Sequence, residues 1–316
     1  MSRDGAFWCP RFRAGLLCLL LLVALKACGF KQAPSENVIV DAAFERYTRT
    51  ASVAFAQADY ARAADLYRQA LEHAYACDDR GAIVDAQYNL AVVLLRSGWL
   101  EEARAAADAA KVEFTWRGQA VPAYLLLLEA TLLYRTGEMS AAWSLSEQIL
   151  ASAPAAEPEV IAKAHFLRGL MAAERADTAR LREAMAALES ASSPELRADH
   201  AELRGSLALA ERDLAVAVQA FDTAAELRRM SFDYASMARA LAKAGDAAER
   251  NGHPQVAAVY YLRAGRSALQ LGQRQEAVDR LKSAQRLARQ TGDAQTLQEV
   301  RSHLARLEAH APDQGR

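Results

Sequence analysis

Six histidines and four cysteines carry most of the chemical scope of this 316-residue chain. A metal site would need three or four such residues at short, fixed spacings. His73, His165, His200 and His253 stand far apart, and His303 and His310, which are closer, have no cysteine or grouped carboxylates beside them. No metal is expected. A nucleophile elbow would flank its serine with glycines on both sides, whereas Ser206 in "LRGSLALA" has Gly205 alone. There is no phosphate-cradling glycine loop and no dinucleotide fingerprint, so no cofactor, no small-molecule substrate and no enzyme activity are expected. Cys77 precedes Asp78 and Asp79, whose negative charge opposes thiolate formation. Its reading is a structural or incidental thiol. Cys28 is different, because it closes an apolar run.

That run, Ala14 to Leu25, is about twelve residues, short of the roughly twenty that a membrane-spanning helix needs. Arg3, Arg11 and Arg13 precede it, and the order of basic, apolar and small residues is that of a secretory signal. Leu25, Ala27 and Cys28 resemble the bacterial lipobox, with Lys26 as the departure from it. The resemblance implies that residues 1–27 are a signal peptide and that Cys28, acylated, becomes the first residue of the mature chain. Residues 28–37, polar and containing Pro34, then read as a tether. More than one acyl chain would give stable anchoring in the membrane. Gly29 is not the aspartate that holds enterobacterial lipoproteins in the inner membrane, so an outer-membrane anchor facing the periplasm is favoured. An ordinary cleaved signal releasing a soluble periplasmic protein stays open. With Cys9 and Cys18 lost and Cys28 acylated, Cys77 has no partner and no disulfide is expected.

The rest of the chain must position whatever function it has. It is rich in Ala, Leu, Arg and Glu and poor in strand formers, the composition of an all-helical protein. Asp59, Trp99, Glu138, Asp177, Asp213 and His253 mark equivalent turns, 36 to 40 residues apart. Small residues follow each turn and return seven positions later: Ala63 and Ala70, Ala103 and Ala110, Ala217 and Ala224, Ala257 and Ala264. Seven residues are two helical turns, so each pair lies on one face and lets a neighbour approach closely. Ala51, Ala91, Ala130, Gly169, Gly205 and Gly245 supply the small position in the preceding helices. Leu181 breaks the pattern in the fourth unit. Pro122, Pro158, Pro194 and Pro254 are placed in first turns, and Gly98, Gly137, Gly252, Gly272 and Gly292 at helix ends. The expected elements are near seventeen residues each, about fourteen helices in seven antiparallel hairpins.

These units, with aromatics at Tyr60, Tyr67, Phe221 and Tyr261 and a closing Pro154, resemble the tetratricopeptide repeat (TPR) family over residues 38–310. The resemblance implies an all-α, right-handed superhelical solenoid whose first helices line a concave groove, with a disordered tail at 311–316. It implies binding of another envelope protein, as a peptide or helical segment, and adaptor or assembly-scaffold work. A structural or dimerising element without a peptide ligand is the alternative. Projection of the first helices places Tyr88, Leu95, Arg96, Tyr124, Leu127, Tyr134, Arg135, Lys163 and Phe166 on the groove, where aromatics beside cations are the usual anchors. Arg96 and Arg135 could instead cap the carbonyls at their helix ends. The segment "VPAYLLLLEATLLYR" is apolar almost all round, which requires cover on more than one side. The balance of charge turns from acidic to basic after Leu227, and Arg263, Arg266 and Arg274 form a secondary basic patch. Nucleic acid is not expected for an exported chain whose basic stretch has few aromatics for base stacking.

Overall fold

The computed structural model describes residues 41–152 and 156–309. The expected signal peptide, Cys28, the tether, Pro154, His310 and the tail lie outside them. Residues 42 onward form one compact unit, and its described residues hold fourteen helices in seven hairpins. These are α1 (Ala42–Ala56) with α2 (Tyr60–Ala76), α3 (Arg80–Ser97) with α4 (Leu100–Thr115), and α5 (Ala123–Arg135) with α6 (Met139–Ala151). Next come α7 (Pro158–Glu174) with α8 (Thr178–Ala186), and α9 (Pro194–Ala210) with α10 (Leu214–Met230). The last are α11 (Tyr234–Arg250) with α12 (Pro254–Gln270), and α13 (Arg274–Thr291) with α14 (Ala294–Ala309). The architecture is the expected all-α solenoid.

One turn geometry is repeated along it. Ten of the connections place a single residue in the left-handed region, followed at once by the start of the next helix. Glycine takes that position without a Cβ penalty, as Gly98 does at φ 85° before α4. Five connections use Ala58, Asp78, Ala176, Arg212 and Phe232 instead, at φ 49–64°. In all five the next residue is an aspartate whose carboxylate accepts the backbone N–H three residues on: Asp59, Asp79, Asp177, Asp213 and Asp233. Of the five glycine turns only Asp293 does this, whereas Trp99, Glu138, His253 and Gln273 make no side-chain cap. A cap contributes about 1 kcal/mol, comparable to the roughly 1–2 kcal/mol that a left-handed non-glycine residue costs. Pro158, Pro194 and Pro254 open their helices as expected, while Pro122 is the N-cap of α5 rather than a residue of its first turn.

The small residues make the packing. All the paired alanines named above are at most 1% exposed. A Cβ added at Gly205 would stand 2.7 Å from ring carbons of Phe221, and one at Gly169 would stand 2.7 Å from both methyls of Leu203. The uniform helix length expected from the sequence does not hold in the middle of the chain. Helices α5 and α6 have thirteen residues each and α8 only nine. Helix α8 stops because Leu188 turns into the core and the serine-rich segment before Pro194 caps α9 through Ser193. Helix α5, apolar all round, has every residue from Val121 to Tyr134 buried or half-buried. The chain itself supplies that cover, since Leu127 packs against both the Ala130–Met171 and the Ile149–Val160 clusters.

A candidate binding surface on the inner wall

The solenoid curls far enough for its inner walls to meet. Arg96 Nη1 at the end of α3 lies 2.8 Å from Asp233 Oδ1 at the start of α11 and 3.4 Å from Ser236 Oγ. The partners are 137 residues apart and belong to the second and sixth hairpins. Arg96 therefore forms a bridge across the superhelix rather than a cap on its own helix end.

The groove residues divide into a packed set and a charged set. Tyr88 and Tyr124 meet edge to face, with ring centroids 5.0 Å apart, and Leu95 packs on the same cluster. Burial, followed by nearby carboxylates, raises the phenol pKa of both tyrosines. Phe166 packs on the Leu181–Leu203 cluster with the Arg228 guanidinium 6.0 Å from its ring centre. Tyr134 donates to Glu174 Oε1 at 2.7 Å, and burial with that hydrogen bond pushes its phenol far above the ordinary value. Lys163 Nζ holds Asp199 Oδ2 at 2.7 Å.

Beyond Lys163 runs a network that the sequence reading did not assign to the groove. The Asp199 side chain is 0% exposed and accepts from both Lys163 and Arg228. Glu202, one helical turn on, is held by Lys243 at 2.7 Å and approached by Arg228 at 3.6 Å. Arg228 also reaches Asp233 at 3.5 Å, which joins the network to the Arg96 bridge. Burial alone would raise the carboxyls of Glu202 and Asp233, but Lys243 and Arg228 around the first and Arg96 and Arg228 around the second outweigh it. Both are held below their ordinary values, Asp233 well below. Burial would likewise lower Arg228, and its three carboxylates reverse that.

Two cations of this wall have no carboxylate. Arg239 on α11 donates to Ser236 Oγ at 2.8 Å, the hydroxyl that Arg96 also faces. Water reaches its side chain, yet protein surrounds it. Desolvation lowers the guanidinium pKa, and the charges of Arg96 and Arg135 add to the lowering against the pull of Glu202 and Asp233. Arg135 is exposed at the end of α5 and, among the described residues, makes no ion pair. Tyr60 faces the same space, its phenol raised by burial beside Arg96, Asp233 and Arg239.

The other expectations are placed as follows. Arg263 meets Asp222 at 3.5 Å and Glu226 at 3.2 Å, Arg266 meets Glu299 at 2.7 Å, and Arg274 donates to the Leu307 carbonyl. Arg263 and Arg266 thus link successive hairpins, and Arg274 ties the two helices of the last one together. Cys77 is exposed. His303 lies 3.9 Å from Glu299, and burial lowers its pKa. Among the described residues no group of three or more His, Cys, Asp or Glu could hold a metal ion. No described helix is long and apolar enough to cross a membrane. Asp199, Glu202, Arg228, Asp233, Arg239 and Lys243 were missed because they lie on the fifth and sixth hairpins. A signal existed in "RADHAELRG", where Asp199 and Glu202 stand between core alanines at helical spacing.

No protein-family model matches the sequence, and no curated protein matches it. Solved structures share its fold. A Rap protein complexed with competence and sporulation factor is 15% identical, with a TM-score of 0.52, covering 89% of this chain and 81% of that one. The apo form of RapI is 10% identical, with a TM-score of 0.50, covering 85% and 77%. A tetratricopeptide repeat protein from Parabacteroides merdae is 15% identical, with a TM-score of 0.44, covering 82% and 98%.

Proposed function

We propose that this chain is a non-catalytic scaffold of the bacterial cell envelope, tethered through an acylated Cys28, whose inner wall holds an acidic segment of a protein partner. One observation carries the reading. On a wall where Arg96, Lys163, Arg228 and Lys243 each meet a carboxylate, Arg135 and Arg239 meet none. Both guanidinium groups are open to solvent with their donors uncommitted to any carboxylate, so an incoming carboxylate can engage the planar fork of arginine. Tyr60 and Tyr134 stand beside the two guanidinium groups and supply rigid contact area around them. The Rap protein of similar fold, complexed with its factor, supports the use of such a solenoid as a receptor.

The anchor and the site are tested separately. Metabolic labelling with a fatty-acid analogue is expected to mark the wild-type chain and not Cys28→Ser, and a wild-type chain without label removes the lipid anchor. For the site, a photo-crosslinking residue in place of Tyr124 is expected to trap one discrete partner in intact cells. That adduct should weaken by at least about tenfold in the Arg135→Ala, Arg239→Ala double variant, if the pair is a binding hot spot. An undiminished adduct in a folded double variant refutes the site while leaving the anchor standing.

A further inference from the structure

Helix α8, with nine residues, is the shortest of the second helices, and its early end leaves space beside α9 and α10. A cavity of about 240 Å³ opens there, between the segment after α8 and the helices α9 and α10. Leu188, Ala201, Ala220 and Leu227 give it an apolar floor. Arg197, His200 and Arg204 line it from α9. At 100° per residue these three share one stripe of α9, on the opposite side from Asp199 and Glu202, so the cavity is separate from the inner wall.

Four exposed or half-exposed arginines link successive hairpins, Arg68 to Glu102, Arg104 to Glu138, Arg182 to Glu211 and Arg286 to Glu249, and Arg197 and Arg204 are not among them. Among the described residues Arg197 and Arg204 make no ion pair and no side-chain hydrogen bond. Glu189 is the one carboxylate in the lining. The Thr223 hydroxyl, also in the lining, is occupied as a donor to the Gln219 carbonyl. His200 is held below its ordinary pKa by burial and then by Arg204, against the opposing pull of Glu189. At neutral pH it therefore enters as a neutral hydrogen-bonding group, and the fixed charges are two guanidiniums against one carboxylate.

We infer that this cavity between α8, α9 and α10 binds a small monocarboxylate with an apolar body, the carboxylate held by Arg197 and Arg204 and the body on Leu188, Ala201, Ala220 and Leu227. The net single positive charge suits one carboxylate better than a doubly charged phosphate, because Glu189 would repel the second charge. The volume is below that of drug-sized pockets, about 300–1,000 Å³, which limits the body to a short branched chain or a single ring. A built-in anchor for an acidic side chain of a protein would not need the apolar floor.

The test uses the soluble chain from residue 38 and two probes, benzoate and 4-methylpentanoate, with inorganic phosphate and chloride as comparison anions. The readout is NMR of the arginine Nε–H and histidine ring signals. Saturable shifts at Arg197, Arg204 and His200 are expected for at least one carboxylate, with a dissociation constant on the order of 1 mM. Arg197→Gln with Arg204→Gln should weaken binding by about tenfold or more, and Ala220→Leu, which fills the cavity without touching a charge, should abolish it. Far-UV circular dichroism checks the fold, and neither arginine has a protein partner to lose. Absence of saturation with both carboxylates overturns the inference. So do equal shifts with phosphate or chloride, which would mean charge screening only, and binding retained in either variant.

Discussion

Replacing Asp233 by Asn tests whether the inner wall is held as a unit. Asn caps a helix about as well as Asp, so the backbone bond from Ser236 N–H survives and the change removes charge alone. The Asp233 side chain is 11% exposed, accepts from Arg96 at 2.8 Å and lies 3.5 Å from Arg228. Breaking a buried pair from one side costs about 3–5 kcal/mol. Here the loss is smaller, because Arg228 keeps Asp199 and Glu202, and Arg96, whose side chain is 36% exposed, keeps access to water. The expected cost near neutral pH is about 2 kcal/mol, the range of a hydrogen bond to a charged group. Urea unfolding followed by far-UV circular dichroism measures it. The sign of its pH dependence follows from the carboxyl pKa, which is lower in the folded chain than in the unfolded one. The stabilisation is fully present above the unfolded value of about 3.9 and is lost as pH falls through the folded value. The gap between wild type and variant should thus stay constant down to about pH 5 and narrow below about pH 4. In an ideal solenoid each repeat senses only its neighbours, but Arg96 and Asp233 join the second hairpin to the sixth. Hydrogen exchange in α3 should therefore accelerate when α11 is changed. A cost under about 0.5 kcal/mol, a gap that persists in acid, or unchanged exchange in α3 would each refute the cross-wall bridge.

Three further changes probe the fold and the wall. Gly205→Ala would ordinarily favour a helix, but its methyl meets the fully buried Phe221 ring at 2.7 Å, so a loss of about 1–3 kcal/mol is expected from thermal unfolding. Ala176→Gly relieves the left-handed strain at φ 53° on an exposed turn and should raise stability by about 0.5–1 kcal/mol, whereas a loss would show that the greater freedom of glycine in the unfolded chain outweighs the strain relieved. Tyr124→Ala with Tyr134→Ala should lower the melting temperature, because Tyr124 packs against Tyr88 and Tyr134 donates to Glu174. Loss of partner capture at a temperature where this double variant is still folded would assign the pair to binding as well as packing.

The repeat was legible because close packing leaves its mark on residue size. Asp59, Trp99, Glu138, Asp177, Asp213 and His253, aligned by pattern alone, are the N-caps of the first six of the seven second helices, and the small residues fall where neighbouring helices touch. Helix lengths were less legible. Leu181 signalled an irregular fourth unit, but the early stop at Ala186 depends on Leu188 finding a place in the core, which no local pattern reports. The inner wall was half legible, since projecting one helix tells which side chains leave its face and not what they meet. Arg96, Lys163 and Phe166 were placed on the groove from their own helices. Asp199 and Arg228, the partners of Lys163 and Phe166, come from the next hairpin along, whereas Asp233, the partner of Arg96, comes from the sixth and is brought in by superhelical curl. That curl is the sum of many small rotations between hairpins, so it is invisible in any one repeat. It is also what separates the paired cations from Arg135 and Arg239. A charge becomes available for a partner only when the whole wall has been closed around it and its neighbours have taken every carboxylate within reach.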